Sequence, residues 1–439
     1  MEYDDFQQRR KEREKLRQER LLQQRKLTVK LIIALVVLIC VAVMILVVSG
    51  NRRTQEPPVA STTASTETPE TENATVQETQ PSETTEEVAP SNKTVITFVA
   101  AGDVNITDNV VASGGPNYDY SKVFMDVLPL LSQADLTAIN IEGNFIGAPY
   151  GAQYASAPNE LLTALWNMGV DLVQVANSYT IKNGVSGMYS TIQTIRGAGF
   201  ETMGAYLNKA DFDETGGYTI RNIQGIKVAV VAFTKGMDSM ALPVGSENCV
   251  NLLYEDYASA YQDVDTEGIT KILKAVAKEK PDITIAMVHW GSEYNDTHSK
   301  SQENIRKLLL EEGVDAIIGT HPHYVQEIVF DEETGTLVAY SLGDFISDGT
   351  KGGTEYSIVL ELEITKDLEL KKTYISGYHY TPTFTVSDEE ALRVVRLEEA
   401  MAAYEDRHLG RVSKDTYDDM VYATDRIKDR VVKDEEKEK

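Results

Sequence analysis

Imidazoles and carboxylates recur at one kind of position in this chain, the polar tip that follows a short apolar run. Asp103, Asn140, Glu142, Asn177, His289, His321, His323 and Asp344 all stand at such tips. The chain has six histidines, and three of them fall in this set. Neutral imidazole is the commonest protein ligand for transition metals. Hard carboxylate oxygens beside it, with no thiolate, suit Mn, Zn, Fe or Mg better than a soft metal. In His321-Pro322-His323 two imidazoles stand two residues apart around a residue of fixed φ. A single histidine at a strand end is ordinarily a polar loop residue, and a single Asp or Asn there ordinarily caps a helix or makes a turn. Three histidines on one edge, flanked by Trp290-Gly291 and Gly319, point instead to a metal or phosphate site.

The elements that must position these residues follow one repeated step. Between Asp282 and His323 the pattern is strand, loop, helix, strand, loop. Ile283 to Val288 has the short, β-branched character of a buried parallel strand. Ser301 can cap a helix with Ile305, Leu308 and Leu309 on one face, Gly313 suits its stop, and Ala316 to Ile318 forms the next strand. Such a βαβ unit puts both strand C-termini on one sheet edge, where open α/β proteins bind ligands.

The same step is expected at Val95–Asp103, followed by a helix that Ser121 caps and that carries Val123, Phe124, Val127 and Leu128. Leu136–Glu142, a helix over Asn159–Met168, and Val170–Asn177 continue it. A helix bearing Tyr189, Ile192 and Ile195 and stopped by Gly199 comes next, and then Lys227–Phe233. A helix faced by Ile269, Ile272, Leu273 and Val276 leads into the histidine unit, and Leu337–Phe345 supplies a strand and a further polar tip. Tyr356–Ile364 and Leu368–Tyr380 alternate as antiparallel strands. From Asp388 the pattern is charged and helical, with Leu392, Val395, Leu397 and Met401 able to dock and the last dozen residues frayed.

Ahead of this α/β domain the composition changes twice. Leu31 to Val48 is an uninterrupted apolar run of bilayer length. The Lys and Arg residues concentrate before it, which predicts a cytoplasmic N-terminus and an uncleaved signal-anchor rather than a cleaved signal peptide. Thr, Ser, Glu and Pro then dominate up to Thr94, a composition that cannot bury enough apolar surface to fold. The expected organisation is a charged cytoplasmic segment at 1–28, one transmembrane helix at 29–49, a disordered stalk at 50–94, the folded domain at 95–385 outside the cell, and a helical extension at 386–439. The formal net charge of −26 in 439 residues disfavours nonspecific nucleic-acid binding. The exterior part, without the basic lead, is more acidic still, so an anionic polymer would need local cations to bind it. With Cys40 inside the apolar run and Cys249 far from it, a disulfide framework is excluded.

Six ordered blocks resemble those of the CapA/PgsA family, the poly-γ-glutamate capsule synthesis proteins. They are Gly102-Asp103, Asn140-Ile-Glu142, Ala176-Asn177, His289-Trp-Gly291, Gly319-Thr-His-Pro-His323 and Tyr340-Ser-Leu-Gly-Asp-Phe345. The resemblance covers about Val95 to Tyr380. It implies a calcineurin-like metallophosphoesterase fold, a four-layer αββα sandwich behind one transmembrane helix. It also implies an exterior protein of the cell membrane that works with a membrane-bound polymer synthase complex on an anionic polymer and takes a divalent metal. By the same resemblance Asp103, Glu142, His289, His321 and His323 take the metal positions. Asn177, Tyr179 and Lys182 take the catalytic block, and Asn140, Trp290 and Asp344 are candidate substrate contacts.

Two blocks depart from the family pattern. Where relatives read Ala-Asn-Asn-His-x-x-Asp-x-Gly, this chain has Ser178, Tyr179 and Lys182, and it has Asp344 where Asn is usual. Tyrosine is a poorer proton donor than histidine at neutral pH, and serine a weaker ligand than an amide. The expectation is a site with at most one tightly held metal, the Lys182 charge partly standing in for the other, that holds an anionic group rather than cleaving it. The leading function is synthesis, export or surface retention of poly-γ-glutamate or a similar polymer. The alternatives are an exterior metal-dependent hydrolase of phosphoester or amide/ester bonds, and a binding-only domain of that fold.

Overall fold

The computed structural model describes residues 92–387, 391–406 and 412–431. The expected charged segment, transmembrane helix and nearly all of the stalk lie outside the described residues. Among those described, no helix is long and apolar enough to cross a membrane.

The strands in chain order are β1 (Lys93–Asn105), β2 (Leu136–Glu142), β3 (Leu172–Gln174), β4 (Glu201–Met203), β5 (Tyr218–Ile223), β6 (Ile226–Thr234) and β7 (Ile283–His289). After them come β8 (Ala316–Thr320), β9 (Ile328–Asp331), β10 (Thr336–Ala339), β11 (Asp344–Ile346), β12 (Tyr356–Asp367), β13 (Lys372–Ser387) and β14 (Leu392–Arg396). The longer helices are α1 (Glu160–Asn167), α2 (Gly184–Gly197), α3 (Thr266–Lys278), α4 (Lys300–Glu311), α5 (Leu397–Glu405) and α6 (Lys414–Val431).

One sheet runs β14-β13-β12-β1-β2-β3-β4, with β11 also on β1, and the other runs β5-β6-β7-β8-β10-β9. Strands β1 to β4 are parallel, as are β6, β7, β8 and β10.

Alternate residues of these strands serve different layers, because side chains point to opposite faces in turn. Ile96, Phe98 and Ala100 of β1 meet Val228 and Val230 of β6 and Ile285 and Met287 of β7 between the sheets. Val99 and Ala101 face the other way, onto Leu161 and Leu165 of α1 and Ile192 and Ile195 of α2. On the far side Val231 and Phe233 pack on Ile269 and Leu273 of α3 and Ile305 and Leu309 of α4. The order of layers is therefore helix, sheet, sheet, helix, as the αββα expectation requires.

Local readings differ in four places. The cap of α4 is Ser299, not Ser301. Ser299 is extended, and its hydroxyl accepts the Gln302 N–H (3.2 Å) while Gln302 Oε1 accepts the Ser299 N–H (2.8 Å). This reciprocal pair satisfies two otherwise orphaned donors. Residues 121–127 form turns, and the helix there is confined to Leu128–Ser132 with Pro129 in its first turn. Leu392–Arg396, read as helical, is the edge strand β14. Its Val394 turns to one core while Val395 turns to the other, the two-sided burial of a strand. Residues 428–431, expected to fray, close α6, where Met420, Ala423, Ile427 and Val431 enter the core between the sheets.

Candidate metal centre

The C-terminal ends of β1, β2, β3, β7 and β8 meet at one edge of the sandwich. Chain crossing brings in another. After β10 in the second sheet, Tyr340–Gly343 passes to the first, where β11 pairs with β1 and sets Asp344 opposite Asp103. Two glycines permit this crossing. A Cβ on Gly102 would lie 1.9 Å from the Gly343 carbonyl oxygen, and one on Gly319 would lie 2.0 Å from that of Tyr340.

Asp103 is held from both sides. Its Oδ1 accepts from Asn140 Nδ2 (2.6 Å) and its Oδ2 from the His321 N–H (3.0 Å). Asn140 Oδ1 in turn accepts from Asn177 Nδ2 (3.0 Å), which also donates to the Ile141 carbonyl (2.7 Å), while Asn177 Oδ1 accepts the Tyr179 N–H (2.9 Å). Asn140 and Asn177 are buried, and through these bonds they orient the Asp103 carboxylate and the Tyr179 backbone.

The histidine loop is strained to fit. His321 (φ 91) and His323 (φ 60) adopt the left-handed region that non-glycine residues avoid, on either side of Pro322. Such strain persists where the surroundings over-determine it. Here the Asp103 carboxylate fixes the His321 N–H, and the Pro322 carbonyl accepts from the Tyr294 N–H (2.8 Å). The His289 and His321 rings lie 4.5 Å apart. His289 Nδ1 lies 3.2 Å from the Thr320 hydroxyl, and His323 Nδ1 lies 2.7 Å from Asp344 Oδ1.

Ligand atoms gather in three overlapping groups: Glu142 with His289 and His321, Asp103 with His323 and Asp344, and Glu293 with His321 and His323. Within each group the atoms lie within 4.8 Å of one another. Ser178 Oγ adds an oxygen 3.1 Å from His289 Nε2 and 3.5 Å from His321 Nδ1. Glu142 Oε1 tests whether a cation fits. It is buried and lies 3.1 Å from His289 Nε2, yet it makes no hydrogen bond. A buried carboxylate oxygen left unpaired is costly, and a metal held with the two imidazoles would satisfy it. The donor set fits a hard or borderline divalent cation.

The electrostatics agree with that fit for the group of Glu142, His289 and His321. Burial pushes Asp103 up to about 6, with the Asp344 charge adding to it and His323 opposing. Glu142 is driven well up by burial and then by the Asp103 charge. Burial, then the neighbouring His321, holds His289 well below the usual imidazole range, and burial does the same to His321, so both rings are neutral, the form that can ligate a cation. Burial opposes the proton on His323, but the Asp344 charge and hydrogen bond, with Glu142 and Asp103, outweigh it.

Three further residues are not where they were expected. Trp290 is fully buried in the outer helix layer, with its indole N–H on the Tyr340 carbonyl (2.8 Å), so it makes no surface for a substrate. Asp344, expected at the substrate, is buried in one of the ligand groups because β11 pairs with β1. Lys182 does not stand in for a cation. It is over a third exposed, beside the Tyr179 ring, and pairs with Asp238 at 3.7 Å. The ammonium that reaches the imidazoles belongs to Lys235, 3.4 Å from His321 Nε2. Lys235 and Glu293 were missed in the sequence, although each carries a signal. Lys235 is the polar tip after β6, and Glu293 lies in the same loop as the strand-end His289. Tyr179 flanks the site, and burial, then the Glu142 charge, pushes its phenol up to about 12.

A family profile described as "Bacterial capsule synthesis protein PGA_cap" matches residues 97–349, which contain every residue of this site. The chain is similar to "Capsule biosynthesis protein CapA" of Bacillus anthracis, 28% identical over 278 residues, 60% of this chain and 63% of that one. It is also similar to "PGA biosynthesis protein CapA" of Bacillus subtilis (strain 168), 24% identical over 262 residues, 56% of this chain and 62% of that one. It thus spans rather less than two thirds of the length of these curated relatives. Among solved structures, the calcineurin-like phosphoesterase YfkN of Bacillus subtilis aligns with 76% of this chain and 99% of its own, at 15% identity and a TM-score of 0.41.

Proposed function

The chain belongs to the bacterial capsule synthesis protein PGA_cap family, and from that premise we propose that it serves the synthesis, export or surface retention of poly-γ-glutamate or a similar anionic polymer. It does so as a membrane-anchored protein whose folded domain lies outside the cell, beside a polymer synthase. The observation that carries this reading is the convergence of the family's ordered blocks on one buried cluster, with Glu142 Oε1 left for a cation. Glu142, His289 and His321 would hold a divalent metal, and Asp103, His323 and Asp344 line the adjoining position. When bound, the metal supplies a positive centre that attracts an oxyanion and polarises it.

The chain's own residues favour holding that anion over cleaving it. Tyr179 stands where a proton donor is needed, and a phenol held up to about 12 gives up its proton poorly at neutral pH. Replacing the chromosomal copy with His321→Ala tests the proposal. Surface polymer should fall to the level of the deletion strain, and unchanged surface polymer in the deletion strain would discard it. The second reading, metal-dependent hydrolysis, draws on the same ligand set. Robust turnover of phosphodiesters by the unmodified chain with Mn or Zn, abolished by His321→Ala, would put it first.

A further inference from the structure

Lys235 follows β6 directly, and its N–H donates to the His289 carbonyl (2.7 Å), which sets it beside the first imidazole of the centre. The chain is held close there, since a Cβ on Gly236 would lie 2.4 Å from the Tyr257 carbonyl oxygen. The Lys235 ammonium donates to the Gly291 carbonyl (2.8 Å) and lies over the Tyr261 ring at 4.6 Å. A second of its three donors is within 3.4 Å of His321 Nε2. The field of Glu293 reaches it, but among the described residues it forms no ion pair with a carboxylate. Lys182, by contrast, has Asp238. A half-buried ammonium without a carboxylate in ion-pair contact among the described residues carries a desolvation cost that one carbonyl, one imidazole nitrogen and one ring only partly offset.

We propose that Lys235 is the anion-binding residue of this centre, taking an oxyanion, carboxylate or phosphoryl, that is brought against the metal. An ammonium is a compact charge with three donors, so it accepts either group, and it supplies the local cation that so acidic a chain needs to hold an anionic ligand. The assignment rests on reading the histidine cluster as the metal centre of a protein that handles an anionic polymer.

The test uses the full chain in detergent, loaded with manganese, and two probes: inorganic phosphate and a short γ-linked glutamate oligomer. Dissociation constants are measured at two salt concentrations for wild type, Lys235→Gln and Lys235→Arg, with manganese content measured on each. Gln keeps a donor for the Gly291 carbonyl but not the charge, which separates anion binding from a purely structural tie. Lys235→Gln should keep its manganese and bind at least about tenfold more weakly, with a flatter salt dependence, while Lys235→Arg recovers part of the affinity. Loss for the oligomer alone assigns a carboxylate ligand, and loss for phosphate alone a phosphoryl ligand. Equal affinity of Lys235→Gln and wild type for both probes overturns the assignment, as does a wild type that binds neither. A wild type that takes up no manganese fails the metal reading alone, and Lys235 is then judged by the same affinities in the metal-free protein.

Discussion

At the scale of single residues the site is defined by what its buried charges lack. Glu142 brings a carboxylate oxygen to the two neutral imidazoles and leaves it without a hydrogen bond. Glu142→Gln should therefore lower metal affinity at least about tenfold while the domain stays folded. Equal metal content by elemental analysis in wild type and variant would remove this residue from the centre. Proton competition gives a second expectation. Glu142 is driven well up by burial and then by the Asp103 charge, so its carboxyl takes up a proton as the pH falls and must lose it to ligate, whereas His289 and His321 are held neutral and add no proton there. Metal loading at fixed free Mn should thus fall as pH drops from 7.5 to 5.5. A flat profile over that range would contradict the assignment of Glu142 as a ligand.

At the scale of elements, the centre depends on the chain crossing from β10 to β11 through the space that Gly102 and Gly319 leave open. Gly319→Ala would set a methyl group 2.0 Å from the Tyr340 carbonyl oxygen and 2.5 Å from the Trp290 indole nitrogen. Backbone must then shift, at a cost of at least about 1–3 kcal/mol. Chemical denaturation should show that loss together with reduced metal content, since His321 follows two residues later. A variant as stable as wild type would mean that the crossing relaxes freely. Helix α6 is tested separately, because it lies in sequence beyond every family block yet fills the core between the sheets. Ile427→Ala should cost about 2–5 kcal/mol, the usual range for a buried Ile. A cost below about 0.5 kcal/mol would show that α6 is dispensable to the sandwich.

At the scale of the whole molecule, composition supports an anchored exterior domain: a bilayer-length apolar run, basic residues before it, and a Thr, Ser, Glu and Pro stretch after it. A protease added to intact cells should cut between Thr54 and Thr94 and release a soluble folded fragment. Protection until lysis would reverse the proposed orientation.

What the sequence by itself determined is the set of strand tips and the layers behind them. Short β-branched runs such as Ile283–Val288 must be buried on both faces, and each ends in a polar residue on the same edge, so Asp103, Glu142 and the three histidines were legible as one cluster. Local rules also placed α3 and α4 and the Gly313 stop, because periodicity and left-handed glycine are local properties. Only the tertiary structure decided which polar groups face the centre and which are already occupied. Asn140 and Asn177 bond each other, Trp290 turns into the helix layer, and Lys182 turns out to Asp238, while Lys235 and Asp344 come in from elements far apart in the chain. Spacing along one chain cannot specify such contacts. They are set by the packing of two sheets against each other and by a crossing that exists only once both have formed.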